Sequence, residues 1–185
     1  MKKMMTLAVM MTIAVAAHAM NYSTARAEAL FLSDKMAYEL GLTDAQYNAV
    51  YEINLDYLLC VNTPADAYGS WWNRRNADLQ YVLSASQYAR FLRLAHFHRP
   101  LTWRSGGWHF GVYTVYNRGH FYKGRPVGFA SYRGGNNQRH GHYASHRPAP
   151  VKPTHHAGAT HHSKPTVNSH GSSHRKDTRS HGHRR

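Results

Sequence analysis

The chain has 185 residues, and its 23 Lys and Arg outnumber 9 Asp and Glu, for a formal net charge of +14. So large an excess of base attracts polyanions, and the single cysteine, Cys60, excludes an intrachain disulfide. The charge is unevenly spread: Met20 to Asp78 holds eight acids and four bases, whereas Leu79 to Arg185 holds seventeen bases and only one acid, Asp177. Such asymmetry marks a folded part followed by an interacting tail.

The first residues read as an export signal. Lys2 and Lys3 form a positive start, Met4 to Ala17 is apolar, and Ala17-His18-Ala19 is a small-x-small cleavage site, which makes Met20 the expected mature N-terminus. A second such triplet, Ala25-Arg26-Ala27, is an alternative cut. The apolar run is shorter than the roughly 20 residues that a bilayer requires. The expectation is a protein that does not span a membrane and is exported to the periplasm or the extracellular space.

Four helices are expected between Ser23 and His98. The first starts at about Ser23 or Ser33 and runs to Leu40, with Gly41 as the residue past its end. The second opens on Thr43 and Gln46, the two ends of a capping box. Tyr47, Val50, Tyr51, Asn54 and Leu58 fall on one arc of it, and Ala45, Asn48, Ala49, Glu52 and Asp56 fall opposite, as an acidic outer face. The third opens on Thr63-Pro64-Ala65-Asp66 and turns Tyr68, Trp71, Trp72, Leu79 and Val82 inward. The fourth opens on Ser84 and Gln87, packs Tyr88, Phe91, Leu92 and Ala95 on one face, and stops before Pro100.

The second and fourth helices repeat one another: Leu42-Thr43-Asp44-Ala45-Gln46-Tyr47 aligns with Leu83-Ser84-Ala85-Ser86-Gln87-Tyr88. Beyond them, nine aromatics lie among frequent glycines from Leu101 to Tyr132. Trp108 to Tyr116 and His120 to Tyr122 are expected to pair as a β-hairpin around Asn117-Arg118-Gly119. From Gly134 onward only Tyr143, Val151 and Val167 offer sizeable apolar surface, too little to offset chain entropy. The fold expected is mainly α: a small antiparallel bundle of about four helices, then an aromatic/Gly-rich segment with a hairpin, then a disordered tail. The divisions are a signal peptide at 1–19, a helical domain at 20–98, the aromatic/Gly-rich segment at 99–133 and the tail at 134–185.

The Leu42-Thr43-x-x-Gln46 and Leu83-Ser84-x-x-Gln87 elements resemble the LTxxQ motif of the Spy/CpxP family of small helical periplasmic proteins, over roughly Phe31 to His98. The resemblance implies an all-helical, stress-induced chaperone acting on unfolded clients through its helical domain. The family includes a zinc-resistance-associated member with metal-binding histidines. Ser84 departs from the motif's threonine, and the Tyr/Trp-rich helices depart from the family's dense charge.

The tail carries most of the histidine. His140, His142, His155, His156, His161, His162, His170, His174, His181 and His183 are candidate metal ligands, and His146 lies among them. Neutral imidazole suits Zn, Cu and Ni, and closely spaced pairs such as His155-His156 can chelate. No obligatory cofactor is implied. Arg139, Arg147, Lys152, Lys164, Arg175, Lys176, Arg179, Arg184 and Arg185 form a cationic arm for anionic polymers or lipids. His96 and His98, with His109 and His120, are read as helix-end and loop residues, since side chains two apart on a helix diverge by about 200°. Cys60 is read as a small core residue. Catalysis is not expected: no Asp or Glu lies between Leu79 and Lys176 to orient a histidine, and no H-E-x-x-H or G-x-S-x-G occurs. The expected function is an exported binding protein whose tail captures metal ions or anionic surfaces.

Overall fold

The structure, a computed structural model, describes residues 19–148. The expected signal peptide up to His18, and the stretch from Ala149 onward, lie outside the described residues. The fold is mainly helical, with one small two-stranded antiparallel sheet.

Helix α1 (Tyr22–Leu40) begins where the Asn21 side chain accepts from Thr24 N at 2.8 Å, and ends at Gly41 in the left-handed region at φ 64°. Every residue from Ala29 to Ala37 is buried, including Ser33, Asp34 and Lys35. Helix α2 (Asp44–Cys60) packs along α1 and is also enclosed on most sides. Tyr47, Val50, Tyr51, Asn54 and Leu58 are all buried, as their periodicity requires.

The third helical signal divides in two. Pro64–Tyr68 is a 3₁₀ turn, and helix α3 (Ser70–Val82) restarts after Gly69. Asp66 accepts from Thr63 N at 2.7 Å and from the Thr63 hydroxyl at 2.9 Å. Tyr57 donates its hydroxyl to Ala67 O at 2.8 Å, which holds the turn against α2. A Cβ at Gly69 would sit 3.2 Å from Ala65 O, a tight approach that favours glycine at the break. Helices α4 (Ala85–Arg93) and α5 (Ala95–His98) follow. Leu79, Val82, Phe91 and Phe97 fill the core, while Tyr68, Leu92 and Ala95 are exposed, contrary to the inward placement expected of them. Trp71, Trp72 and Tyr88 are partly buried.

The two capping boxes meet. Thr43 and Ser84 each accept from the amide of the glutamine three residues on, at 3.2 and 3.3 Å, and each glutamine oxygen accepts from the cap's own N–H. Gln46 Nε2 donates to Gln87 Oε1 at 2.7 Å, and Gln87 Nε2 to Gln46 Oε1 at 3.2 Å. Leu42 and Leu83 are buried beside them. The internal repeat is therefore a contact between its own two copies.

The hairpin lies one segment earlier than expected. Strands β1 (Leu101–Arg104) and β2 (Gly107–Phe110) pair antiparallel, with Trp103 opposite Trp108. Ser105 (φ 49°) and Gly106 (φ 78°) form the two-residue turn, both in the left-handed region that such hairpins need. Gly111–Thr114 is a 3₁₀ turn instead of a strand, and no strand occurs at His120 to Tyr122.

Order also continues past the expected boundary at Gly134. Helix α6 (Gly128–Ser131) is followed by 3₁₀ turns at Asn136–Gln138 and Ala144–His146. Asn137 and Tyr143 are buried, Tyr143 to 1% exposure. Apolar content alone gave no anchor here. The anchor is polar, and it is the face of α2 that periodicity assigned to solvent.

Candidate anion- and metal-binding surface

Three carboxylates hold residues 120–148, hereafter the strap, onto the helices. Asp56, buried to 2% exposure, accepts from Tyr132 Oη (2.8 Å), Gly135 N (2.8 Å) and Asn137 N (2.9 Å). Burial nevertheless pushes its carboxyl above the usual range, against the pull of those donors. Glu52 accepts from Asn136 Nδ2 at 3.1 Å and Tyr143 Oη at 3.3 Å, and Asn48 accepts from Gly128 N at 2.6 Å. Asp34 accepts from the backbone N–H of Tyr122 and of Lys123, at 3.1 and 2.8 Å. The acidic face of α2 is thus an internal docking track.

Lys35 has no exposed surface. Its ammonium pairs with Asp34 at 2.7 Å, donates to His120 O, and lies 4.4 to 5.8 Å from the ring centres of Phe31, Tyr122, Phe121 and Tyr116. This satisfies a charge that would otherwise be costly to bury. Arg75 is the second enclosed cation. Its Nε donates to Asn54 Oδ1 at 2.7 Å and Nη2 to Phe97 O at 3.0 Å, while Asn54 donates to Ser33 Oγ at 2.8 Å. One polar line thereby crosses α1, α2, α3 and α5. Burial pulls the guanidinium down to about 10, with the nearby Tyr57 opposing. No periodic pattern in the sequence announces either cation, since each sits in an otherwise ordinary helix.

The remaining acids are engaged as well. Glu28 accepts from Tyr113 Oη at 2.5 Å, Glu39 pairs with Arg90 at 2.8 Å, and Asp44 pairs with Lys123 at 2.8 Å. Asp78 is buried beside Arg74, and desolvation pushes it up to about 6. Arg93, Arg99, Arg104, Arg125, Arg133, Arg139 and Arg147, by contrast, are exposed and make no ion pair among the described residues. Tyr38 and Tyr122 stack at 3.8 Å and are exposed, as are Val115 and Phe121. Tyr116, Tyr122, Asn117 and His120 line a cleft of about 310 Å³ whose floor is Lys35.

Of the metal- and anion-binding candidates read from the sequence, Arg139, Arg147, His140, His142 and the neighbouring His146 are described. His140 is tied through Nδ1 to Arg74 Nη1 at 2.7 Å. The rings of His142 and His146 are 6.1 Å apart. His155, His156, His161, His162, His170, His174, His181 and His183 lie outside the described residues, as do Lys152, Lys164, Arg175, Lys176, Arg179, Arg184 and Arg185. Among the described residues, no three His, Cys, Asp or Glu side chains gather as a metal site. His96 and His98 end α5 and face different neighbours: His96 lies against Phe97 and Tyr116, His98 against Trp72 and Phe91. Burial lowers both imidazoles. Cys60 accepts from Asn137 Nδ2 at 3.3 Å, and burial raises its thiol, which keeps it protonated and a poor nucleophile.

Comparison with protein-family models, with curated proteins and with solved structures returned no match. No helix among the described residues is long and apolar enough to cross a membrane.

Proposed function

We propose that this is an exported, non-enzymatic binding protein for anionic surfaces, which it meets with the exposed arginines of its folded domain and the basic stretch that follows. The histidines of that stretch take up divalent Zn, Cu or Ni, and the helices act as a rigid scaffold. One observation carries the reading: the folded domain turns its carboxylates inward or pairs them, and leaves arginines outward. A cation with no carboxylate beside it keeps its field, and several on one surface attract a polymer of opposite charge in a salt-dependent way. Bacterial surface polysaccharides and acidic lipid headgroups are the partners that fit an exported chain. The exposed Tyr38 and Phe121 add aromatic surface against which a sugar ring can pack.

Heparin and lipopolysaccharide retention of the full chain tests this. Replacing Arg93, Arg99 and Arg104 by Gln should move elution to clearly lower salt at unchanged melting temperature. Unaltered elution would remove the folded domain from the binding surface and leave only the basic stretch beyond it.

A further inference from the structure

We infer that His142 and His146 form a divalent transition-metal site built into the fold, at the end of the strap that Tyr143 docks on α2. The inference rests on the metal reading above, and it names a preformed site where that reading has only a histidine-rich sequence. The two rings lie 6.1 Å apart, centre to centre, with planes inclined by 35°. With a metal–nitrogen distance of about 2.1 Å, two adjacent imidazoles on one ion have ring centres about 4.5–5.5 Å apart, roughly 1 Å closer than they stand here. A small side-chain rotation on the surface therefore closes the site.

The backbone that carries the pair is already fixed. His142 N donates to Arg139 O at 3.3 Å, Ala144 N to Gly141 O at 2.9 Å, and His146 N to Tyr143 O at 2.9 Å. Tyr143, between them, is buried, and its hydroxyl donates to Glu52. Its ring touches both imidazoles, at 4.7 and 5.4 Å, which keeps them together on one flank. The available nitrogens suit the role. Among the described residues no hydrogen bond engages the His142 ring, and His146 is touched only through Nδ1, by Ser145 Oγ at 3.5 Å. His140 is excluded, because Arg74 occupies its Nδ1. Two neutral imidazoles with water in the remaining positions favour Cu, Ni or Zn over harder ions, at modest affinity.

A chelate that forms equally well in an unfolded chain leaves stability unchanged. A pair that needs the docked strap binds only the native state and raises its stability by mass action. This separates the site from the histidines beyond it. Melting of the full chain at pH 7.5, with and without NiCl₂ near 100 µM, should show a rise of roughly 3–5 °C. His142→Ala with His146→Ala should lose that rise, while calorimetry still finds Ni²⁺ bound elsewhere on the chain. His146→Ala alone, at an exposed position, should lose most of it with an unchanged metal-free melt. An equal rise in these variants, or binding without any rise in the wild type, overturns the built-in site and leaves the tail reading standing. Absence of Ni²⁺ binding altogether overturns both.

Discussion

Asp56 and Asp78 are both buried acids, yet they do opposite work. Asp56 gathers three donors of the strap, so Asp56→Ala leaves a hydroxyl and two N–H groups without an acceptor. The expected cost is about 3 kcal/mol in denaturant unfolding, against less than about 1 kcal/mol for exposed Asp44→Ala, which loses one surface ion pair. Asp78 is held up at about 6 by desolvation. A carboxyl whose native value is raised binds its proton more tightly when folded. Its favourable contribution is therefore complete below the ordinary carboxylate range and is lost as pH rises through about 6. Asp78→Asn removes that loss, so its stability advantage over wild type should grow between pH 5 and pH 7.5, by about 1 kcal/mol. Comparing the two proteins at each pH cancels the opposite trend of His96 and His98, whose lowered imidazoles cost stability as acid charges them. An advantage that stays constant with pH would show that Asp78 is ionised on both sides of that window.

Among the elements, the helix starts were legible because a capping box is a local device: Thr43 with Gln46 and Ser84 with Gln87 need only their own neighbours. That the two boxes join through Gln46 and Gln87 was hinted at by the repeat, but proximity of the copies is a tertiary fact. A double-mutant cycle of Gln46→Ala and Gln87→Ala should return a coupling of about 1 kcal/mol, since each change strips the other amide of its partner. The hairpin was misplaced because aromatic density drew the strand to Trp108–Tyr116, whereas the turn is set by Ser105 and Gly106 at positive φ. The polar arc of α2 was misread for a general reason. Periodicity reports that Asn48, Glu52 and Asp56 differ from the opposite face, and says nothing of what covers them. Gly134 shows how closely the strap lies there. At φ 101° any side chain is strained, and an added Cβ would also meet Leu59 Cδ1 at 2.9 Å and Asp56 Oδ1 at 3.2 Å, so Gly134→Ala should loosen the strap and speed hydrogen exchange over residues 128–146, at a cost of about 1–2 kcal/mol.

At the scale of the whole molecule, the folded unit has to be cut in a different place from the one composition suggested. Truncation after Tyr132 removes Asn137 and Tyr143, both buried, and should lower the melting temperature, whereas truncation after Pro148 should leave it within a few degrees. The second truncation should also keep part of the wild-type heparin retention, through Arg93, Arg99, Arg104 and their neighbours. Retention that vanishes with residues 149–185 would place all anion binding there. The basic half of the candidate surface was visible in the sequence as a charge excess. Its sharper feature was not, because net charge counts Asp34, Asp56 and Asp78 as though they faced water.

The strap also returns the end of the fold to its beginning. Tyr22 donates to Tyr132 O across 110 residues, Arg26 to Phe129 O across 103, and the two N–H groups on Asp34 come from 88 and 89 residues further on. Helix α1 therefore has only the Asp34–Lys35 pair itself to satisfy these buried charges until the strap has been made. At about 5–20 residues per second, that delay is roughly 5–20 s. For all of that time a core closed over Asp34 and Lys35 would bury their charges short of the strap groups that satisfy them, which favours an open chain over a half-built one.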